Sequence, residues 1–267
     1  MSPLRVATDG WVVAKRNLIK IKRVPEIMVF VLMSPIMFVL LFAYVFGGAI
    51  DAGPGLDYKE FLIGGIFAQT VVFGATYSGA ALAEDMQKGF IDRFRSLPMS
   101  RSAVLVGRTT SDVVYNIVSL AVMAITGLFV GWRAHGSIAE TIAAFALLLV
   151  FAYAISWVMA FIGLIVPSVD VINNASFLVI MPLTFVSIAF VPLESFPSGL
   201  RHVVEWNPVS AITQGVRELF GNVPEDMEVP DVWSMQHPVL YTLLWIALIL
   251  LVFVPLSVRQ YQRTTSK

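Results

Sequence analysis

The 267-residue chain has no cysteine, only three histidines and few charged residues. Asp, Glu, Lys and Arg make up 13% of it, against about 25% in a typical soluble domain. The lack of cysteine excludes disulfides, thiolate metal ligands and cysteine nucleophiles. Hydrophobic residues make up 57% of the chain, more than one water-soluble core of this size can bury. The composition therefore excludes an ordinary soluble enzyme, a disordered chain and a nucleic-acid binder, and it predicts an integral membrane protein.

Several motifs for enzymatic chemistry are also missing. No Gly-Lys dipeptide occurs, so the phosphate-binding loop G-x-x-x-x-G-K-[ST] of many ATPases is absent. The G-x-S-x-G nucleophile elbow of many hydrolases is absent too. His202 and Glu205 are spaced to share one helix face, but a structural metal site normally has four ligands. We therefore expect no catalytic residue, no metal site and no cofactor bound by this chain.

Six stretches contain no Asp, Glu, Lys or Arg and are long enough to cross a membrane as helices. A helix needs about 20 apolar residues to cross roughly 30 Å of hydrocarbon. None of the six alternates polar and apolar residues as a barrel strand does. The sequence therefore predicts an all-α, polytopic membrane protein that forms a single domain over residues 1–267. The six predicted spans are Ile27–Gly47, Phe61–Leu82, Val113–Trp132, Thr141–Val166, Val171–Leu193 and Pro238–Val258.

The basic residues predict which side of the membrane each end occupies. Most of the 18 Lys and Arg residues lie in the N-terminal head, in the connection after the second span, or in the C-terminal tail. Cytoplasmic segments of membrane proteins are enriched in Lys and Arg. We therefore expect these three segments, and both termini, in the cytoplasm.

Two of the segments outside the spans are predicted to lie at a membrane surface. The head, Met1–Glu26, has apolar residues on one helix face and basic residues on the opposite face, which predicts an amphipathic interfacial helix. The alternative is a basic flank that only orients the first span. The segment Glu194–His237 combines prolines with short apolar runs. We interpret it as an external re-entrant segment, with a plain external loop as the alternative.

The connection between the second and third spans predicts a short cytoplasmic helix. Phe90, Phe94 and Leu97 share one face of it, and Pro98 ends it, because a residue before proline disfavours helical geometry. Exposed phenylalanines need a partner or a lipid surface to cover them. The helix is therefore interpreted as a plug that enters a groove on another protein, or else as a second interfacial helix on lipid.

The predicted spans contain no ionisable residue near their centres. Glu26, Asp112 and Asp170 lie only at span edges, which disfavours proton- or sodium-coupled transport. The weakly polar residues can form hydrogen bonds between helices or line a path for a hydrophobic or amphipathic solute. The candidate substrate-pathway residues are Gln69, Thr70, Tyr77, Asn116, Asn173 and Asn174.

Glycines in the second span predict close helix packing. Gly64, Gly65, Gly74 and Gly79 all lie within it. Small residues allow the backbones of neighbouring membrane helices to approach closely. We therefore expect other helices to pack tightly against this span.

The run from Gly89 to Arg101, followed by Gly107-Arg108, resembles the membrane subunits of type-2 ABC exporters. It is especially similar to the daunorubicin/doxorubicin-resistance permeases of actinobacteria. The resemblance extends over essentially the whole chain, and an outer signature belongs to it. That signature comprises Pro197, Leu200, Asn207, Pro208 and Arg217.

The resemblance implies a half-transporter in a bacterial cytoplasmic membrane. It implies a second permease copy, identical or different, and two copies of a cytosolic ATP-binding cassette subunit that hold ATP and Mg. The helix after the second span would be a coupling helix seated in a cleft of that ATPase, with Phe90 and Phe94 as anchors. The residues assigned to ATPase coupling are Glu84, Gly89, Phe90, Ile91, Asp92, Arg93, Phe94, Arg95, Pro98 and Arg101.

The resemblance favours outward transport of a hydrophobic drug or antibiotic. Three alternatives remain open from the residues alone. They are a lipid or polysaccharide exporter on the same scaffold, an ion-coupled carrier that works without an ATPase, and a membrane anchor for another enzyme.

Overall fold

The computed structural model describes residues 15, 19, 33, 35–46, 57–88, 103–166, 168–223 and 230–264. Within these ranges every regular element is a helix, so the all-α prediction is confirmed for them. A short apolar helix, α1 (Pro35–Val45), has a π-helical turn at its end, over Leu41–Phe46. The helices that follow are α2 (Tyr58–Gly74), α3 (Thr76–Gln87), α4 (Ala103–Val130), α5 (Ile138–Ile165), α6 (Val169–Phe185), α7 (Ser198–Glu205), α8 (Pro208–Phe220), α9 (Trp233–Gln236) and α10 (Pro238–Thr264).

Among the residues that the structure describes, four helical segments are long and apolar enough to cross a membrane. They correspond to the predicted second, third, fourth and sixth spans. The first of them joins α2 and α3 across a single turn residue, Ala75. α1 and α6 are shorter apolar helices; α1 lies within the predicted first span, and α6 overlaps part of the predicted fifth. The four long segments are Tyr58–Gln87, Leu105–Val130, Ile138–Ile165 and Pro238–Arg263.

The apolar run 171–193 is not one continuous helix, which corrects the predicted fifth span. α6 ends at Phe185, three residues after Pro182. The Nδ2 group of Asn207 donates hydrogen bonds to the carbonyl oxygens of Leu183 and Val186, at 2.8 and 2.6 Å. Because a side chain from elsewhere satisfies these end carbonyls, the backbone can leave the helix inside an apolar environment.

The helix of the predicted third span begins at Ala103 rather than at Val113, which is a second correction. Arg108 and Asp112 therefore lie inside the helix, one turn apart. Asp112 is 7% exposed and lies within the apolar helical segment Leu105–Val130, not at its edge as expected. Arg108 lies beside it as an i,i+4 partner, and this partial compensation of charge explains how the helix continues through both residues.

Local sequence signals set several helix starts. The Asp57 side chain accepts a hydrogen bond from the backbone N–H of Lys59 and caps α2. Ser137 and Glu140 form a reciprocal capping box at the start of α5, and Ser168 caps α6. Such side chains satisfy backbone N–H groups that have no partner within the helix.

α5 lies at the centre of the bundle and packs against α2, α3, α4, α8 and α10. α2 is buried on almost every side, as expected for a helix that is apolar all round. At the crossing of α3 and α5 a Cβ on Gly79 would lie 2.7 Å from the Met159 carbonyl oxygen, and one on Gly163 2.6 Å from that of Gly79. The expected close approach at Gly79 is therefore confirmed.

The contacts define two ends of the bundle. At one end, which we name the loop end, His135 Nε2 lies 2.8 Å from Glu60 Oε1, and the His135 N–H donates to the Phe220 carbonyl. At the other, the connection end, Tyr261 of α10 shares an apolar cluster with Leu82 and Leu105. The last helix therefore finishes at the end where the chain leaves α3 and returns into α4.

Candidate functional site

A cavity of about 320 Å³ opens between α1, α2, α3, α4 and α6. It flanks the point at which α2 passes into α3. Phe73 and Gly74 line it from one side of the break at Ala75, and Thr76 and Tyr77 from the other. The cavity wall therefore includes the non-helical turn at Ala75, with apolar and polar side chains on either side of it.

The cavity wall combines aromatic rings with uncharged hydrogen-bonding groups. Phe38, Phe73 and Phe177 supply apolar surface, and the rings of Tyr77 and Tyr115 lie 5.8 Å apart. The Ser176 hydroxyl is buried and makes no hydrogen bond with the described residues. A mostly apolar wall with a few polar groups, and with no charged side chain among the described residues that line it, suits an uncharged or amphipathic molecule.

Four of the six predicted substrate-pathway residues meet at this cavity: Gln69, Thr70, Tyr77 and Asn173. Asn116 does not line it. Its amide donates to the Asp112 carbonyl at 2.8 Å, and its Oδ1 lies where a Cβ on Gly74 would come within 2.9 Å. Asn174 is exposed on α6, outside the cavity. The role of these residues in transport remains a prediction.

A buried polar network adjoins the cavity on the side of the connection end. Asp112 of α4 accepts a hydrogen bond from the Ser78 hydroxyl of α3. Arg108 Nη2 donates to the Tyr77 carbonyl oxygen at 3.2 Å. Sequence reasoning missed this network because it read both charged residues as parts of a loop. The spacing of four between Arg108 and Asp112 is the signal that could have found it.

Arg217 of α8 projects into the bundle at the loop end and is 1% exposed. Its Nε donates to the Phe61 carbonyl at 2.8 Å, and its Nη2 donates to that of Ala189 at 3.2 Å. Its guanidinium carbon lies 3.5 Å from the centre of the Phe61 ring. Arg217 therefore ties α2 to the irregular segment that follows α6.

Other polar side chains hold the same irregular segment, residues 186–192. Tyr58 donates to the Phe190 carbonyl at 3.1 Å, and the Ser210 hydroxyl accepts from the Ile188 N–H at 3.2 Å. Of the predicted outer-signature residues, Asn207 caps α8, Pro208 is its first residue, and Pro197 directly precedes α7. Together these contacts supply hydrogen bonds to backbone groups that have left the helix.

Of the residues assigned to ATPase coupling, only Glu84 lies among the described residues. It is on α3 and forms an ion pair with Lys88. The other nine assigned residues, from Gly89 to Arg101, lie outside the described residues, as does the N-terminal head apart from Lys15 and Ile19.

Comparison with known proteins identifies the class to which this fold belongs. Residues 8–220 match the model of the ABC-2 type transporter family. The daunorubicin resistance ABC transporter permease protein DrrB1 of Streptomyces coeruleorubidus is 32% identical over 247 residues, which cover 92% of this chain and 83% of the relative. The putative transport permease ycf38 of Porphyra purpurea is 27% identical over 198 residues, which cover 72% of this chain and 68% of the relative. The probable doxorubicin resistance permease DrrC of Mycobacterium tuberculosis (strain ATCC 25618 / H37Rv) is 23% identical over 55% of this chain and 52% of its own.

The chain is an integral membrane permease, and it belongs to the ABC-2 type transporter family. It is therefore the membrane subunit of an ABC transporter, as its resemblance to drug-resistance permeases predicts. Membership of the family implies association with an ATP-binding subunit and with a second permease.

Proposed function

We propose that this permease exports a hydrophobic drug-like molecule and that a separate ATPase subunit supplies the energy. The observation that carries the proposal is the cavity described above, in a chain of this family. A wall of aromatic rings, two amides and several hydroxyls binds an amphipathic aromatic solute through stacking, burial and a few hydrogen bonds. Two relatives are named for resistance to daunorubicin or doxorubicin, which supports the same class of solute and an outward direction.

The proposed topology has six spans and places both termini in the cytoplasm. α1 and α6 supply the first and fifth spans, α6 together with the irregular segment that follows it. The segment containing α7, α8 and α9 then forms a re-entrant cap on the outer side. The burial of α8 against α2, α5 and α10 supports such a cap, because an ordinary external loop leaves more of a helix exposed.

The proposed cycle is alternating access in a pair of permeases with two ATP-binding subunits. ATP and Mg bind the partner subunits, and the coupling segment transmits their closure to α3 and α4. ATP drives the change only because it binds better to one arrangement than to the other. The cavity volume lies at the lower end of the range for ligand pockets, so a second permease that faces it would enlarge the site for a drug-sized solute.

The test is transport in proteoliposomes that contain the permease and its ATP-binding subunit, with daunorubicin as the probe. We expect ATP-dependent transport, and we expect Tyr77→Ala combined with Asn173→Ala to raise the half-saturating concentration roughly 30-fold. This factor corresponds to losing one aromatic contact and one hydrogen bond, each worth about 1 kcal/mol. The matched control is Asn174→Ala, since Asn174 is the exposed neighbour outside the cavity.

Transport by the permease alone, driven by an ion gradient, would overturn the proposal in favour of an ion-coupled carrier. ATP-dependent movement of lipid with no movement of daunorubicin would instead indicate a lipid exporter on the same scaffold. An unchanged half-saturating concentration in the double variant would remove the cavity as the binding site.

A further inference from the structure

Two hydrogen bonds cross-link α3 and α4 inside the bundle, and an ion pair within α4 joins the two α4 residues that make them. Arg108 Nε lies 3.7 Å from Asp112 Oδ1, and the two side chains are only 15% and 10% exposed. Ser78 donates to the other carboxylate oxygen of Asp112, and Arg108 Nη2 donates to the Tyr77 carbonyl. We name these four residues, Tyr77, Ser78, Arg108 and Asp112, the α3–α4 clamp.

The clamp joins two helical arms that lead to the same connection. α3 runs into it through Lys88, and α4 leaves it at Ala103. At about 1.5 Å per helical residue, Ser78 lies ~15 Å along the helix from Lys88, and Asp112 lies ~14 Å from Ala103. The hydrogen bonds therefore join the two helices at similar distances from the connection. That distance is about half the thickness of the hydrocarbon layer of a membrane.

The clamp also adjoins the cavity wall. The Tyr77 side chain lines the cavity, while its backbone carbonyl is held by Arg108. Tyr115, one turn beyond Asp112 on α4, lines the same cavity and contacts the Tyr77 ring. Along both arms, Ser78, Arg108 and Asp112 thus lie between the connection and the solute-facing rings of Tyr77 and Tyr115.

A contribution to folding stability does not by itself explain why a charged pair is placed here. Removing two charges from water costs about as much as their attraction returns, so a well-packed apolar pair is often equally stable. What the clamp adds is a fixed geometry, since both hydrogen bonds to α3 are directional, and a shift of α4 against α3 would separate Asp112 from the Ser78 hydroxyl and Arg108 from the Tyr77 carbonyl.

We infer that the α3–α4 clamp makes the two arms move as one body, so that a displacement of the connection shifts the cavity wall at Tyr77 and Tyr115. Without the clamp the arms slide past each other, and ATP hydrolysis changes access to the cavity less effectively. Ser78, Arg108 and Asp112 are positioning residues, because they act through the two tyrosines. This inference rests on the proposed function.

The test uses the whole complex in proteoliposomes, with daunorubicin and ATP. The variant Arg108→Leu/Asp112→Leu removes both charges together and leaves neither unpaired. We expect it to assemble with the ATPase and to hydrolyse ATP, while the amount of daunorubicin moved per ATP falls roughly fivefold or more, the usual scale of coupling between sites. The control is Ser257→Ala, because the buried Ser257 hydroxyl bonds to the Trp157 carbonyl at 3.3 Å between α10 and α5, away from both arms.

A double variant that moves as much daunorubicin per ATP as the wild type would overturn the inference, and so would one that loses the ATPase. If the double variant does not fold, Ser78→Ala decides the question, since it keeps both charges and removes only one cross-link. Its transport per ATP must fall while hydrolysis persists, and an unchanged ratio would contradict the inference. A wild-type complex that shows no ATP-driven transport would instead overturn the proposed function.

Discussion

Replacing Gly65 with alanine is expected to destabilise the permease severely. A Cβ at position 65 would lie 1.8 Å from the Ala189 carbonyl oxygen, 2.5 Å from its carbonyl carbon and 2.7 Å from its Cα. The obstructing atoms are backbone, and Arg217 and Tyr58 fix this stretch through the carbonyls of Ala189 and Phe190. We expect the free energy of unfolding to fall by about 3 kcal/mol or more, the upper end for overpacked sites. The measurement is thermal unfolding of the purified protein in detergent.

Two glycine variants calibrate that result. Gly199→Ala is the matched control, because nothing lies within 4 Å of a Cβ at that position. Gly64→Ala should fall between the two, since its new Cβ would meet the Arg217 side chain at 2.8 Å rather than backbone. If the Gly65→Ala variant unfolds at the same temperature as the wild type, residues 186–192 do not pack against α2 as described.

The double replacement of Phe90 and Phe94 by alanine is expected to abolish coupling to the ATPase. Both side chains are predicted to share the exposed apolar face of the coupling helix. Buried aromatic anchors at protein interfaces commonly contribute 2 kcal/mol or more, so we expect binding of the ATP-binding subunit to weaken roughly 30-fold or more. The measurement is co-purification of the two subunits, together with stimulation of ATP hydrolysis by daunorubicin.

Phe129→Ala provides the control for that experiment. Phe129 is 85% exposed near the end of α4 that lies away from the connection, and its loss should leave assembly intact. Full co-purification and normal stimulation of hydrolysis in the Phe90/Phe94 variant would show that this helix face lies on lipid, which is the other interpretation its sequence allows.

Hydropathy predicted the helices that are apolar throughout. The fourth span, Thr141–Val166, differs from α5 by only a few residues at its start and by one at its end. The family resemblance was likewise readable from the sequence, because the run from Gly89 to Arg101 is distinctive. Close packing at the glycines of the second span followed from their lack of a side chain.

The irregular and charged features were harder to predict, for physical reasons. A hydropathy window treats 171–193 as one apolar run, and it cannot register that Asn207 and Arg217 satisfy the backbone carbonyls where the helix breaks. A hydropathy window also excludes Asp112 from the span, although the Asp112 carboxylate pairs with Arg108 and accepts a hydrogen bond from Ser78 inside the bundle. In both cases the residue that stabilises the polar group is distant in sequence, or it is a charged residue that lowers the hydropathy of the segment.

The candidate cavity was predictable only in part for a similar reason. Gln69, Thr70, Tyr77 and Asn173 could be selected because they are polar within apolar spans, and all four line it. The aromatic residues Phe38, Phe73 and Phe177 could not be distinguished from ordinary apolar residues. Their place at the cavity follows from how α1, α2 and α6 pack, which no local pattern encodes.

Site-specific cross-linking can determine whether an ATPase drives this permease through the connection between α3 and α4 on the cytoplasmic side. The chain has no cysteine, so Ser96→Cys and Gly199→Cys each create a single attachment point for a photoactivatable cross-linker. We predict that the probe at position 96 captures the ATP-binding subunit, whereas position 199 captures none of it and reacts with an impermeant thiol reagent added outside the cell. Capture of the ATPase from position 199, or labelling of position 96 from outside, would show that the connection does not face an ATPase in the cytoplasm.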